Sequence, residues 1–198
     1  MTMTITPETE LKRSLTKPQF QAILAAYPFA PQFKQTNTYF DTPHQELRQH
    51  EMGLRIRQFD TYAEQTLKTP NPDHQGLIEN TDPLTTAAAE AALQAGHIVS
   101  GGIVSEVLTK FGIEDKTLVP FAKATTYRQL ATLPTGVITL DETHYPDSFI
   151  DYDLEIEYEN LHSATELMAQ LTDQFQLSTA PLANKVARAA KHVIKSQA

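Results

Sequence analysis

Along several short stretches of this chain apolar and polar positions alternate, and the polar positions carry charge. Side chains two apart on a strand share a face, about 6.6 to 6.8 Å from each other. In Leu54-Arg55-Ile56-Arg57 the two arginines therefore share one face and the two aliphatics the other. The same division recurs in Thr66-Leu67-Lys68, in Thr139-Leu140-Asp141 and in Asp153-Leu154-Glu155-Ile156-Glu157. On the first strand Glu8, Glu10 and Lys12 fall on one side and Leu11 on the other.

Further strands are predicted from Thr36 onward and over 53–59, 62–69, 76–80, 118–122, 124–133, 136–141 and 150–158. Phe20, Ile23, Leu24 and Tyr27 recur at helical spacing between Thr16-Lys17-Pro18 and Pro28, which predicts a short helix after the first strand. Helical patterns return over 85–95, 104–111, 164–175 and 182–194. Asp41-Thr42-Pro43-His44 reads as a turn and Asn71-Pro72-Asp73-His74 as a loop. Strands, helices, strands, helices in that order predict an α+β fold with an antiparallel sheet.

A sheet with one face in water explains charge on any single strand. Recurrence over several strands, with arginines on one and carboxylates on another, points instead to a charged face that serves a purpose. Two carboxylates about 7 Å apart repel by roughly 2 kcal/mol at an effective dielectric near 20, a cost that a cation relieves. Neighbouring lysines or arginines can neutralise them too. All-oxygen ligands select hard ions such as Mg²⁺ or Mn²⁺. The basic set Lys12, Arg55, Arg57, Lys68 and Arg128 complements this, since guanidinium forks pair with phosphate oxygens and lysine adds point charge.

Composition narrows the picture. The 198 residues fit one domain spanning 1–198, and the absence of cysteine excludes disulfides and thiolate metal sites. A formal charge of −8 argues against general nucleic-acid binding, and no apolar stretch is long enough to span a bilayer. A cytoplasmic protein, monomer or homodimer, is expected. The seven histidines are scattered without metal-like spacing, so no histidine base is expected.

These residues resemble a known family. Glu8-Thr9-Glu10-Leu11-Lys12 matches the ExExK signature of the CYTH or triphosphate tunnel metalloenzyme superfamily. Asn37-Thr38-Tyr39-Phe40-Asp41-Thr42-Pro43 followed by Gly53-Leu54-Arg55-Ile56-Arg57 is similar to its YFDTP…LRIR block. Leu67-Lys68-Thr69-Pro70 and Gly76-Leu77-Ile78-Glu79 resemble the strand pair that comes next. Similarity extends from about 5 to 190 and is greatest to the bacterial YjbK-like branch.

The resemblance implies an eight-stranded antiparallel β-barrel forming a tunnel with a polar interior and helices outside. It implies Glu8, Glu10, Asp141, Glu155 and Glu157 as ligands of Mg²⁺ or Mn²⁺, and Lys12, Arg55, Arg57, Lys68, Arg128 and Lys185 as phosphate contacts. Glu8, Glu10, Glu157 and Arg57 then carry catalysis; Glu79 and Arg188 are further possibilities. The expected activity is metal-dependent hydrolysis of inorganic triphosphate or a related triphosphorylated small molecule. Class IV adenylate cyclase, thiamine triphosphatase and a non-catalytic polyphosphate or nucleotide binder are the alternatives.

Overall fold

The computed structural model describes residues 2–72 and 76–193. Its order is β1 (Thr4–Glu8), β2 (Glu10–Leu15), α1 (Lys17–Ala26), β3 (Phe33–Asp41), α2 (Glu46–Gln49), β4 (Gly53–Gln58), β5 (Ala63–Pro70) and β6 (Leu77–Leu84). Then follow α3 (Thr86–Ala95), α4 (Gly102–Lys110), β7 (Val119–Leu133), β8 (Gly136–His144), β9 (Ile150–Glu157), α5 (Leu161–Phe175) and α6 (Lys185–Ala189). Among the described residues the strands form one antiparallel sheet of nine, ordered β1-β6-β5-β4-β3-β7-β8-β9-β2.

The two edge strands of this sheet are consecutive in the chain. Only Thr9 separates β1, which pairs with β6, from β2, which pairs with β9. The sheet therefore curls until its edges meet end to end. The expected single first strand is split at Thr9, which is why nine segments stand where eight were anticipated. Thr9 Oγ1 donates to the Tyr158 carbonyl at 2.6 Å, tying the split to the end of β9. On the other side Gly76 takes a φ of +111°, and a Cβ there would lie 2.7 Å from the Glu8 carbonyl oxygen. Only glycine lets the chain pass so close to β1.

Register carries one set of side chains around the inner face. Arg57 stands opposite Asn37 and Glu64, Lys68 opposite Glu79, Arg128 opposite Asp141, and Glu155 opposite Lys12. The alternate positions point outward and bury apolar surface against helices, at roughly 1.5 to 3 kcal/mol per buried side chain. Ile138, Leu140, Leu154 and Ile156 pack with Phe20 and Ile23 of α1 and Leu167, Met168 and Leu171 of α5. Leu54, Ile56 and Leu67 pack with Leu47 of α2, Ala89 of α3 and Val104 and Leu108 of α4.

α1 begins as its sequence predicts: Thr16 and Gln19 form a reciprocal capping box and Pro18 occupies the first turn. The helix expected over 182–194 is shorter, with only Lys185–Ala189 helical, and residue 194 lies outside the described set. α6 does not join the outer layer. Its Ala189 packs against Tyr39, Ala122, Ala124 and Tyr145. Register places Tyr39, Ala122 and Ala124 on the inner face, so α6 is lodged inside the curl of the sheet.

The strands expected over 118–122 and 124–133 are one fifteen-residue strand, β7, bent by a register shift opposite Tyr39 and Phe40. Both aromatics are buried, and alternation along β3 sends one inward and one outward. The turn at Asp41 carries a short helix the sequence did not suggest. Asp41 accepts from the Thr42 and Leu47 amides through Oδ1, at 2.7 and 2.9 Å, and from the Arg48 amide through Oδ2 at 3.2 Å. No described helix is long and apolar enough to cross a membrane.

Candidate functional site

The curl encloses a cavity of about 1590 Å³. Its walls include Glu8, Glu10 and Lys12 from the split strand, Arg55 and Arg57 from β4, Lys68 from β5 and Glu79 from β6. Arg128, Glu155 and Glu157 complete them with Lys185 and Arg188 of α6. Of the residues expected at the site, Asp141 alone is absent from this surface. It is buried behind Arg128 and Lys185.

Opposite charges interlock around this belt. Arg128 grips Asp141 with two parallel bonds of 2.7 Å and reaches Glu155 Oε2 at 2.8 Å. Lys185 donates to Asp141 and, at 2.5 Å, to Glu155 Oε1. Lys68 pairs with Glu8 and with Glu79 at 3.0 Å, and Glu79 lies 3.4 Å from Arg55. Lys12 holds Glu10 at 2.7 Å. Acid and base thus alternate around the cavity instead of occupying separate halves.

The electrostatics follow from these neighbours. Burial works against the charge of Asp141 and Glu155, yet Lys185 and Arg128 outweigh it and hold both below the usual carboxylate range. The same pairs outweigh burial in Arg128 and Lys185 and raise them further. For Glu79, too, Lys68 and Arg55 overcome burial and lower its pKa. Arg57 differs: burial, then repulsion from Arg55 and Arg128, brings its guanidinium down to about 10. Arg55 Nε is buried with no hydrogen-bond partner among the described residues. These arginines are crowded beyond what their carboxylates neutralise, the state that an anionic ligand relieves.

Glu10 is the acidic counterpart of Arg57. Burial raises its pKa, repulsion from Glu155 adds to this, and Lys12 compensates only in part. Across the β2–β9 ladder it faces Glu157, which has no ion pair among the described residues. No three such donors are drawn together in a metal-holding group among the described residues, because Lys12, Lys68 and Lys185 lie against them. Their chemistry nonetheless fits a hard divalent ion: all-oxygen, and crowded enough at Glu10 that added positive charge stabilises the ionised form.

Two residues that fix Arg57 were assigned no role from the sequence. Asn37 Oδ1 accepts from Arg57 Nε at 2.9 Å and Glu64 Oε1 lies 3.3 Å from Nη1, so the guanidinium is fixed from both neighbouring strands. Strand parity could have found Glu64, which shares a face with Thr66 and Lys68. Arg188, for which a solvent-facing position is the commoner case, is buried and forked onto Asp153, with Asp151 3.0 Å away. That pair fastens α6 inside the curl.

The comparisons with known proteins agree with this architecture. The chain is 31% identical over 183 residues to YjbK of Bacillus subtilis (strain 168), provisionally named a triphosphatase, covering 91% of this chain and 93% of that protein. A Bacillus halodurans protein provisionally named an adenylate cyclase superposes with a TM-score of 0.82 at 27% identity, over 93% of this chain and 97% of its own. HpAC1 from Hippeastrum, described as having a dominant triphosphatase activity, gives 0.76 at 19% identity over 96% and 98%, which speaks to the fold alone. The pattern of the CYTH domain matches residues 6–190, and the chain belongs to the CYTH domain family.

Proposed function

We propose that this protein is a metal-dependent triphosphatase that hydrolyses a phosphoric anhydride bond of inorganic triphosphate or of a small molecule carrying one. The observation that carries the reading is the crowding of Arg55 and Arg57 on the cavity surface, with Arg57 lowered to about 10 by burial and by repulsion from Arg55 and Arg128, and Arg55 Nε without a hydrogen-bond partner among the described residues. Cations in this state call for a compact polyanion. The name of the B. subtilis relative points the same way.

Glu8, Glu10, Glu155 and Glu157 are the residues that would hold a divalent cation, Mg²⁺ or Mn²⁺. Such an ion supplies charge neutralisation and makes a bound water more acidic. The chain's own residues do the positioning. Arg55, Arg57 and Arg128 take phosphate oxygens in pairs, and Lys12, Lys68 and Lys185 exchange their carboxylates for phosphate as substrate arrives, so charge stays balanced. Asp141 holds Arg128 in plane, Asn37 and Glu64 hold Arg57, and Glu79 holds Lys68. Fixed donors aimed at the equatorial oxygens stabilise the charge that develops during in-line attack of water on the terminal phosphorus.

The test is phosphate release from inorganic triphosphate, ATP and thiamine triphosphate with Mg²⁺ or Mn²⁺, with cyclic AMP assayed in parallel. Metal-dependent release from at least one substrate is expected. Cyclic AMP without phosphate release would make the protein a cyclase, and binding without turnover would make it a receptor.

A further inference from the structure

Beyond the end of α6 at Ala189 the chain still follows the cavity: Ala190, Lys191 and Val193 line it, whereas His192 does not. His192 faces the turn between β8 and β9 instead. Its Nδ1 lies 2.8 Å from Asp147 Oδ2. That bond, more than any other influence, keeps Asp147 below the usual carboxylate range, so the carboxylate is ionised at neutral pH and the imidazole is the donor. The ring also packs on both aromatics of the turn. It lies 4.4 Å from Phe149 with planes 5° apart, and 4.5 Å from Tyr145 with planes 28° apart.

The turn is built to receive it. Asp147 Oδ1 accepts from the Phe149 amide at 3.1 Å, which leaves Oδ2 for His192. From the rings a chain of contacts runs to the site. Tyr145 Oη donates to Asp151 Oδ2 at 2.7 Å, and the same oxygen lies 3.0 Å from Arg188 Nη1. Arg188 forks onto Asp153, and three residues earlier on α6 Lys185 reaches Glu155 Oε1 at 2.5 Å. Asp147 and the Tyr145 phenol are the titratable groups that meet His192 from the turn. On its own segment the neighbouring charges are Lys191 and Arg188, the latter engaged by Asp151 and Asp153.

Resting on the triphosphatase reading above, we propose that His192 is a positioning residue, whose clamp on the β8–β9 turn fixes α6 and so sets where Lys185 meets the substrate phosphates. Five residues are too few for a helix to keep its shape alone, so the place of α6 depends on what fastens it. Arg188 fastens its middle and His192 the segment that leaves it. With both fixed, Lys185 exchanges Glu155 for a phosphate at little cost in ordering. A protonated imidazole adds charge to the Asp147 bond and to its ring contacts. The clamp therefore tightens as pH falls through the imidazole range and loosens as pH rises through it. Among the described residues that line the cavity none is a histidine, so this dependence reaches the site from outside it.

Steady-state kinetics with inorganic triphosphate and Mg²⁺ between about pH 5 and 8 test this in the wild type, His192→Phe and Asp147→Asn. His192→Phe keeps a flat ring against Tyr145 and Phe149 but loses the bond and the charge. Asp147→Asn keeps an acceptor and removes the charge that answers the imidazole. At the acid end KM is expected to be about threefold to tenfold higher in both variants, with kcat within about twofold of wild type. The excess should shrink toward the alkaline end. An unchanged KM, a loss in kcat alone or the same excess at every pH overturns the clamp. Hydrogen exchange supplies a readout without turnover: the Arg188 and Ala190 amides, bonded to the Asn184 and Val186 carbonyls, should exchange faster in both variants while Leu140 keeps its protection. Wild-type exchange rates at those amides would also overturn it. If the wild type hydrolyses no triphosphate, the hydrolase reading fails, and exchange together with calorimetry of inorganic triphosphate still decides the clamp.

Discussion

Glu10 stands directly opposite Glu157 across the β2–β9 ladder, so the strands that bring the two ends of the sheet together also set two carboxylates face to face. Like charges in such a pair destabilise a sheet unless something between them is positive. Glu10→Gln and Glu157→Gln should each reduce metal-dependent phosphate release by about a hundredfold or more. Because burial and Glu155 raise the pKa of Glu10, its charge at neutral pH opposes folding. Metal-free Glu10→Gln should therefore melt roughly 2–4 °C higher than wild type, by about 1 kcal/mol. Near-normal turnover in these variants, or a lower melting point, would count against the assignment.

Arg188 and Asp153 form a second linked pair, buried where α6 meets β9. Arg188→Met leaves a nearly inaccessible carboxylate with Lys185, 3.8 Å away, as its nearest remaining lysine. A loss of about 3–5 kcal/mol is expected by chemical denaturation. The double variant Arg188→Met, Asp153→Leu should recover much of it. If the double is no better than the single, the loss comes from packing and not from the stranded charge.

Acid should unfold this protein through Asp141. Its folded pKa is depressed by Lys185 and Arg128 despite burial, so the pair's contribution is fully present above the unfolded value near 4. That contribution is lost as pH falls through the lower folded value. Glu155 and Glu79, also depressed, act in the same direction. Thermal unfolding between pH 7 and 2 should show a steep fall below pH 4 for wild type, and for Asp141→Asn a lower plateau with a shallower fall. Parallel curves would exclude Asp141 as the source.

Asp41 organises the segment after β3 by accepting three backbone amides. Asp41→Ala leaves those donors without their acceptor and should cost about 1–3 kcal/mol. Hydrogen exchange should show faster amides at Thr42, Leu47 and Arg48, and protection unchanged at Leu140 and Leu154 on the far side of the sheet. Uniform loss of protection would mean that Asp41 supports the whole sheet.

Much of this architecture was legible in alternation. Strand parity placed Arg55 with Arg57, and Glu155 with Glu157, on one face because the period of a strand is two whatever surrounds it. It could not show that the edges of the sheet meet, because pairing partners as distant as Leu15 and Tyr152 leave no local trace. Nor could it show that acids and bases interlock. Arg128 finds Asp141 only through the β7–β8 register, and Lys185 reaches the same carboxylate from a helix with no alternation to read. Arg188 was the hardest position to read, since spacing along α6 gives its face but not what the helix is inserted into.

The break at Thr9 sets an order of assembly. β2 is synthesised long before β9, yet the sheet closes only when they pair. Such a contact joins residues far apart in sequence, carries a high loop-closure cost and forms late. Glu10 and Glu157 meet at that final ladder. A nascent chain therefore has no facing Glu10–Glu157 pair until residue 157 has been synthesised, and a truncated product that stops before β9 lacks that pair however well its helices pack.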